Sequence, residues 1–563
     1  MAANKISMRR LLILIVLLAC VKYAGAVAPV LITEFCPDPY LHDDADEYLV
    51  LSGYGPLDGL TITDGKSGFR FPPGTAISGN LTIARNGTAF AQSHGHLPDY
   101  EWLDSSPAIP DVINGKPLRM ANANDMLIIY RNGQLVQKVT WPGTVSPREG
   151  QVHFLEGGVW DPRPLMLGQS HFTTAEFRDV TVTAFVSPDC SDDVFASVIS
   201  NASREVLLNV YEFSSPTMAD ALARAHARGV EVQVLVEGGP VGGIGQEEKA
   251  ALWRVNRSGI PVYAMVSSEA VHAPYRYDHA KYVVVDRTTV LVVSENFKYS
   301  GFAPEGTTGN RGWGVVLADQ RAASYFASVF LTDIRGPSIV PYEGEPGRDE
   351  IPPAEKHTVE FIPQTFRGAT VHPVLGPDTC AQIPALISSA TSSIDIEDAY
   401  ITNETRYTLN PYLSAAINAS RRGVRVRVLL DSYWYNVEGK NDNDEMVALI
   451  NRIAAAEHLP LEARCAELRT NQIEKIHNKG VIVDGKRVLV SSINWNSNSP
   501  NFNREAGVII DHPGVAGYFM AVFEDDWNPA VPRPVVGTDY LKIAVAVLVV
   551  TVLLVYRYYR RRR

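Results

Sequence analysis

HAKYVVVD at residues 279–286 and HNKGVIVD at residues 477–484 carry one pattern twice: His-x-Lys, with an Asp seven residues after the His. A Ser-x-Asn follows each copy, Ser294 with Asn296 and Ser492 with Asn494, and the step from Asp to Ser is eight both times. Two copies with the same internal spacing mean that one site was built twice. In a strand, side chains two apart share a face. His279 and Lys281 therefore point one way, as do His477 and Lys479. The apolar runs YVVV and GVIV predict buried strands. Each half can offer an imidazole, an ammonium, an amide and a hydroxyl from adjacent strand ends.

Outward from these motifs the chain repeats itself over about 177–530. FVSPDC, LLNVYEF and MADALARAHARGVEVQVLVE in the first half answer to VLGPDTC, IDIEDAY and LSAAINASRRGVRVRVLLD in the second. Each series reads as a strand, a helix and a parallel strand, the grammar of an α/β layer. Gly229 and Gly423 mark the same helix stop. The expected units are 177–335 and 358–528, joined by a Pro-, Gly- and Glu-rich linker at 336–357. Residues 28–150 predict an all-β sandwich instead. LITEF, EYLVL, LTIAR and DMLIIYRNG are short runs of branched and aromatic residues, punctuated by Asp64-Gly65, Pro72-Pro73-Gly74 and Asn132-Gly133.

The chain has 563 residues, 46% hydrophobic and 20% charged, which are globular values. Its formal charge of −11 hides a split. Ten basic residues and no acidic ones lie within 1–26 and 541–563, so the body keeps 41 basic against 62 acidic residues, a net of −21. An acidic body disfavours nonspecific adhesion to polyanions such as duplex DNA. Lys5, Arg9 and Arg10, the run LLILIVLLACV and Ala24-Gly25-Ala26 predict a secretory signal over 1–26. The apolar run at 541–557, closed by Arg560 to Arg563, predicts a single transmembrane helix with a short cytoplasmic basic tail. The expected location is the cell membrane, with the catalytic body outside the cytoplasm. Export makes disulfides possible, and Cys36, Cys190, Cys380 and Cys465 allow three full pairings. Cys190 and Cys380 match in the repeat, which makes them one candidate pair.

If the halves pack about a pseudo-twofold axis, two imidazoles meet across one cavity. That suits phosphodiester cleavage: one attacks phosphorus and becomes a phosphohistidine, while the other protonates the leaving alkoxide and then activates water or an alcohol. Two lysines and two asparagines can hold the nonbridging oxygens as charge builds. The lysines supply the positive charge, so neither metal nor cofactor is expected. Zinc is the rival use of two histidines, but lysine is not a normal zinc ligand.

These residues resemble the phospholipase D superfamily, whose signature is His-x-Lys-x4-Asp followed by Gly-Ser-x-Asn. The resemblance covers about 177–530 and implies a duplicated α/β sandwich with one shared active site. It implies His279 as nucleophile and His477 as general acid. Lys281, Lys479, Asn296, Asn494, Ser294 and Ser492 would surround the phosphate, with Asp286 and Asp484 completing the motifs. Val293 and Ser491 stand where the signature has Gly. The family tends to place an imidazole-orienting acid downstream. Glu505 of NREAGVII fits it, whereas the matching NRGWGVVL has Gly312, so one histidine is expected to lack carboxylate support. Tyr211 and Tyr400 match at strand ends and suit either core packing or the pocket wall. Residues 29–145 resemble the lamin-tail domain, an immunoglobulin-like sandwich, in the order ITEF, EYLVL, LTITDG, FRFPPGT and LTIARN, without its usual Trp.

The reading is a membrane-anchored phosphodiesterase that cleaves or transfers phosphodiesters, with a phospholipid favoured because the tether keeps the site near a bilayer. Both half-sites lie in one chain, so a monomer suffices. A surface nuclease on single-stranded nucleic acid is the alternative. A surface binding protein with weakened catalysis is a third, resting on Gly312 and Val293.

Overall fold

The structure is a computed structural model that describes residues 29–529, apart from 123, 142–148, 269–270, 348–354, 406–407 and 440–441. The expected signal and transmembrane segments lie outside the described residues. Among those described, no helix is long and apolar enough to cross a membrane.

The N-terminal region forms two sheets, of six and five strands, that share one core. Leu60–Thr63 shows the cause, with Leu60 and Ile62 buried and Thr61 between them exposed. Asn132 and Gly133, both at positive φ, close the hairpin between Asp125–Arg131 and Gln134–Trp141. Two strands past residue 150, His153–Glu156 and Val159–Trp160, extend the first sheet beside Leu31–Cys36. A short α-helix, Gly87–His94, interrupts the β pattern, capped by the Asn86 side chain.

The rest of the chain builds one sheet of fifteen strands. In the first half these are β1 (Phe177–Ser187), β2 (Glu205–Val210), β3 (Glu231–Glu237), β4 (Val262–Met265), β5 (Lys281–Val285), β6 (Thr289–Val293), β7 (Gly312–Ala318) and β8 (Ile339–Pro341). In the second they are β9 (Gln364–Gly376), β10 (Ser393–Asp398), β11 (Arg425–Leu430), β12 (Leu461–Cys465), β13 (Lys479–Val483), β14 (Arg487–Ser491) and β15 (Glu505–Asp511). Their spatial order is β8-β4-β3-β2-β5-β6-β7-β1-β9-β15-β14-β13-β10-β11-β12. It reads the same from either side of the antiparallel pair β1–β9, except that the edge strand β8 has no counterpart. The duplication seen in the sequence is therefore a pseudo-twofold of the sheet.

Within each half the expected strand-helix-strand units are present. β2 and β3 are parallel around the helix Pro216–Ala227, and β10 and β11 around Pro411–Arg421. Gly229 and Gly423 stand just past those helices at φ of 93° and 92°. Part of the expected linker is ordered, because Ile339–Pro341 pairs with β4.

One core is common to both halves. It joins Val284, Val315, Ile482 and Val508 to the helices Gln320–Asp333 and Pro513–Trp527. Trp313 of the first half stacks on Phe519 at 4.7 Å. A side chain at Gly480 would come 2.5 Å from the Trp313 ring, so glycine in KGVIV lets the halves close. The candidate pairing of Cys190 with Cys380 does not occur. All four described cysteines are free, and the Cys190 and Cys380 thiols turn to carbonyls of their own halves, Val186 and Leu375.

Candidate active site

The histidines are placed by backbone. His279 N–H donates to the Arg504 carbonyl at 2.8 Å, and His477 N–H to the Arg311 carbonyl at 2.9 Å. Each motif strand thus begins against the strand entrance of the opposite half. Both arginines are fully buried and paired across the pseudo-axis. Arg311 meets Asp189 of its own half at 2.7 Å and Asp526 of the other at 2.8 Å. Arg504 meets Asp378 of its own half at 3.1 Å and Asp333 of the other at 2.8 Å. Burying a guanidinium between two carboxylates satisfies charges that would otherwise be costly to desolvate, and it sets how the halves register. Neither arginine was among the expected site residues. Their signal was available, since each directly precedes the position compared as Gly312 and Glu505.

Glu505 crosses to the first half. Both its oxygens lie against His279 Nδ1, at 3.0 and 2.9 Å. Ser492 and Ser499 hydroxyls donate to the same carboxylate, and Asn503 Nδ2 donates at 3.1 Å. With Nδ1 committed, Nε2 is the reactive nitrogen. Burial lowers the His279 pKa against the pull of Glu505, so the imidazole is neutral near pH 7.

One histidine was expected to lack a carboxylate because Gly312 stands where Glu505 does. That expectation is corrected. Glu295, the middle residue of the first Ser-x-Asn, brings Oε2 to 3.3 Å from His477 Nδ1. Its carboxyl is fully buried and receives Asn310 Nδ2 at 3.0 Å. Burial pushes the Glu295 carboxyl up to about 7, against the pull of Asn310, Lys479 and Lys475. Burial, then the nearby Lys479 and Lys475, drives His477 well below its ordinary value. One sequence signal was missed: an acid inside Ser-Glu-Asn where the second copy reads Ser-Ile-Asn.

Lys281 and Lys479 are buried, and each donates to its own histidine's carbonyl, at 2.8 and 2.5 Å. Burial brings them down to about 7 and about 8. Asn296 and Asn494 each keep a buried Oδ1 without a partner, while Asn296 Nδ2 donates to Glu212 at 2.6 Å. Ser294 and Ser492 are buried in the backbone, accepting from Trp313 N and Ala506 N at 3.1 and 3.0 Å. Asp286 and Asp484 are not brought to the imidazoles. They lie at the far ends of β5 and β13, seven residues from the histidines, which is roughly 23 Å along an extended strand at about 3.3 Å per residue. Asp286 there receives the amides of Ser203, Arg204 and Glu205, and Asp484 those of Thr391, Ser392 and Ser393. Tyr211 lines the site, its ring 4.7 Å from that of His279. Tyr400 receives Asn496 Nδ2 at 2.9 Å. Lys475, also unremarked in the sequence, donates to Tyr435 at 2.9 Å beside the exposed Trp434.

Among the described residues, two groups of possible metal ligands lie elsewhere, Glu156 with Asp161 and His171, and Glu101 with Asp104 and Asp111. Asp161 is already bound to Arg163, and Glu101 to the Gly87 and Ser105 amides.

The family described as "Cardiolipin synthase, PLD-like domain" matches residues 195–334 and 383–527, just over half of the chain and one block in each half. The chain belongs to this PLD-like family. Among PLD-like relatives, cardiolipin synthase A of Citrobacter koseri is 25% identical over 358 residues, 60% of this chain and 67% of the relative. The mitochondrial cardiolipin hydrolase of Xenopus tropicalis is 32% identical over 112 residues, 20% of this chain and 46% of that protein. Among solved structures, the phosphatidylserine synthase of Haemophilus influenzae is 13% identical, with a TM-score of 0.45 over 62% of this chain and 86% of that one. Nuc of Salmonella typhimurium, a phospholipase D family member, is 23% identical, with a TM-score of 0.25 over 31% of this chain and all of that one.

Proposed function

We propose that this chain is a phosphodiesterase that hydrolyses or transfers phosphodiesters through a phosphohistidine, with a phospholipid as its favoured substrate. The observation that carries the reading is the pair of imidazoles from opposite halves, each with Nδ1 turned to a buried carboxylate and each beside a buried lysine. His279 is neutral and firmly oriented, as a nucleophile must be. Its Nε2 attacks phosphorus, and the P–O bond to the leaving group breaks. His477 hands its proton to the departing oxygen. The charge of a bound diester offsets Lys479, Lys475 and Lys281, which favours that protonated state. His477 then takes a proton from water or an alcohol, whose oxygen displaces His279 from phosphorus. Lys281 and Lys479 hold the nonbridging oxygens.

The names of the cardiolipin synthase and hydrolase relatives support a lipid substrate. In this reading the C-terminal apolar run holds the body outside the cytoplasm at a membrane, and the N-terminal sandwich is a lamin-tail-like spacer or binding module. Trp434 and Tyr435, exposed beside Lys475, favour a second reading, because such a platform also stacks the bases of single-stranded nucleic acid. The binding-protein alternative loses its main support, since His477 does have a carboxylate neighbour.

The test is to assay the detergent-solubilised full chain on phosphatidylglycerol vesicles, single-stranded DNA and bis(p-nitrophenyl) phosphate, beside His279→Ala and His477→Ala. Lipid turnover lost in both variants is expected. DNA cleavage without lipid turnover would select the nuclease, and no turnover of any substrate would reject the enzyme.

A further inference from the structure

Two departures from the repeat stand close together in space. Glu295 occupies the middle of its Ser-x-Asn, where the second copy has the buried Ile493. Gly312 opens β7, where the second copy opens β15 with Glu505. The two are one change. A Cβ added at Gly312 would lie 2.5 Å from Glu295 Cγ and Oε1, and 2.8 Å from Ser294 Oγ. No side chain fits at 312 while Glu295 is there, because a packed interior has no spare room. The surroundings match as well. Asn310 donates to Glu295 as Asn503, its counterpart in the repeat, donates to Glu505. Each carboxylate faces the Nδ1 of the other half's histidine.

Resting on the phosphodiesterase reading, we propose that Glu295 is the positioning residue of His477. It reaches from the turn after β6 the place that Glu505 reaches from the start of β15, and Gly312 is kept bare to admit it. The carboxylate has moved to the neighbouring strand while its target atom has stayed put. The groups facing Glu295 suit that role: Asn310 holds one oxygen, His477 lies beside the same oxygen, and Lys475, Lys479 and Lys281 surround the carboxyl with positive charge. Glu295 Oε1 and His477 Nδ1 have no hydrogen-bond partner within the protein. Catalytic hydrogen bonds of this kind commonly tighten once substrate is bound. A carboxyl pushed up to about 7 by burial also titrates in the range where the imidazole must gain and release its proton.

The experiment compares Glu295→Gln, Glu295→Ala and the transposed pair Glu295→Ala with Gly312→Glu in the full chain. The probe is bis(p-nitrophenyl) phosphate, with kcat and KM measured across pH and thermal melting as the folding control. Glu295→Gln is expected to lower kcat by about 10- to 100-fold, leave KM within about threefold and shift the pH profile of kcat near neutrality, where Lys281 also titrates. The transposed pair is expected to regain at least about tenfold over Glu295→Ala, the smaller part of such a loss. An unchanged kcat and pH profile in Glu295→Gln would overturn the proposal. So would a transposed pair that melts like the parent yet regains nothing. Should the pair fail to fold, the pH profile of the near-isosteric Glu295→Gln decides alone. Wild-type chain that turns over no phosphodiester would overturn the phosphodiesterase reading beneath. Turnover that Glu295→Gln leaves undiminished overturns only the role of Glu295.

Discussion

Around His279 the Glu505 carboxylate touches Nδ1 with both oxygens and is held by Ser492, Ser499 and Asn503. Around His477 the Glu295 carboxylate stands 3.3 Å off, with Asn310 as its hydrogen-bond donor. A parallel difference separates the amides. Asn296 is tied to Glu212, whereas the counterpart of Glu212 beside the second motif is the buried, apolar Ile401. The pseudo-twofold is kept where it matters chemically, in what surrounds each Nδ1, and relaxed in which residue supplies it. A repeat can therefore diverge in residue register without losing a functional atom.

The comparison breaks most sharply at the histidines themselves. His279→Ala and His477→Ala are each expected to cut kcat by about ten-thousandfold, because groups acting as a unit are not additive. A double variant no worse than either single would show that they act together. A single variant at near-normal rate would refute the shared site.

The crossed arginines should behave alike in the two halves. Arg311→Met and Arg504→Met each strand two buried aspartates, at a cost of about 3–5 kcal/mol in urea or thermal unfolding. An effect confined to one arginine would mean that the pseudo-symmetry is not energetic.

Glu505→Gln removes the better-held carboxylate and should lower kcat by about 100-fold or more. If it costs less than Glu295→Gln, the tighter geometry at His279 does not reflect greater dependence on orientation.

The lysines give the pH dependence. Burial lowers Lys281 to about 7 and Lys479 to about 8, and each carries its proton only below that value. Phosphate binding should therefore fail as pH rises through this range, with kcat/KM falling by up to about tenfold per unit for each proton lost. A flat profile from pH 7 to 9 would contradict deprotonation of Lys281 and Lys479 in this range.

The smallest effects are expected at Asp286 and Asp484, whose replacement by Asn should leave kcat within about threefold, since neither reaches the imidazoles. Burial alone would raise the Asp484 carboxyl, but donors from Ser393, Ser392 and Thr391 hold it well below the usual range. Its stabilising contribution is then present above the unfolded value of about 4 and lost as pH falls through the lower folded one. Asp484→Asn should flatten the acid side of the melting curve, and an unaltered curve below pH 4 would refute that role.

Much of this molecule was legible in its residues. The doubled His-x-Lys pattern gave the duplication, the faces shared by His and Lys, and the buried motif strands, because a strand's period of two is a local property. Asn132-Gly133 gave its hairpin and Gly229 its helix stop for the same reason. Glu295 was hidden. Read in register, its half is one carboxylate short, and only proximity between adjacent strands shows that Gly312 leaves room for it. The placing of Asp286 and Asp484 was hidden too, since seven residues of extended strand carry a motif's end away from its beginning.

By itself the sequence determined that one site was built twice and which side chains each copy offers, because spacing along a strand fixes direction. Only the tertiary structure decided which carboxylate meets which histidine and which arginine locks which half. Those partners lie roughly 170 to 230 residues apart, well beyond the reach of any strand or helix period, and they meet only when the two halves of the sheet close over a common core.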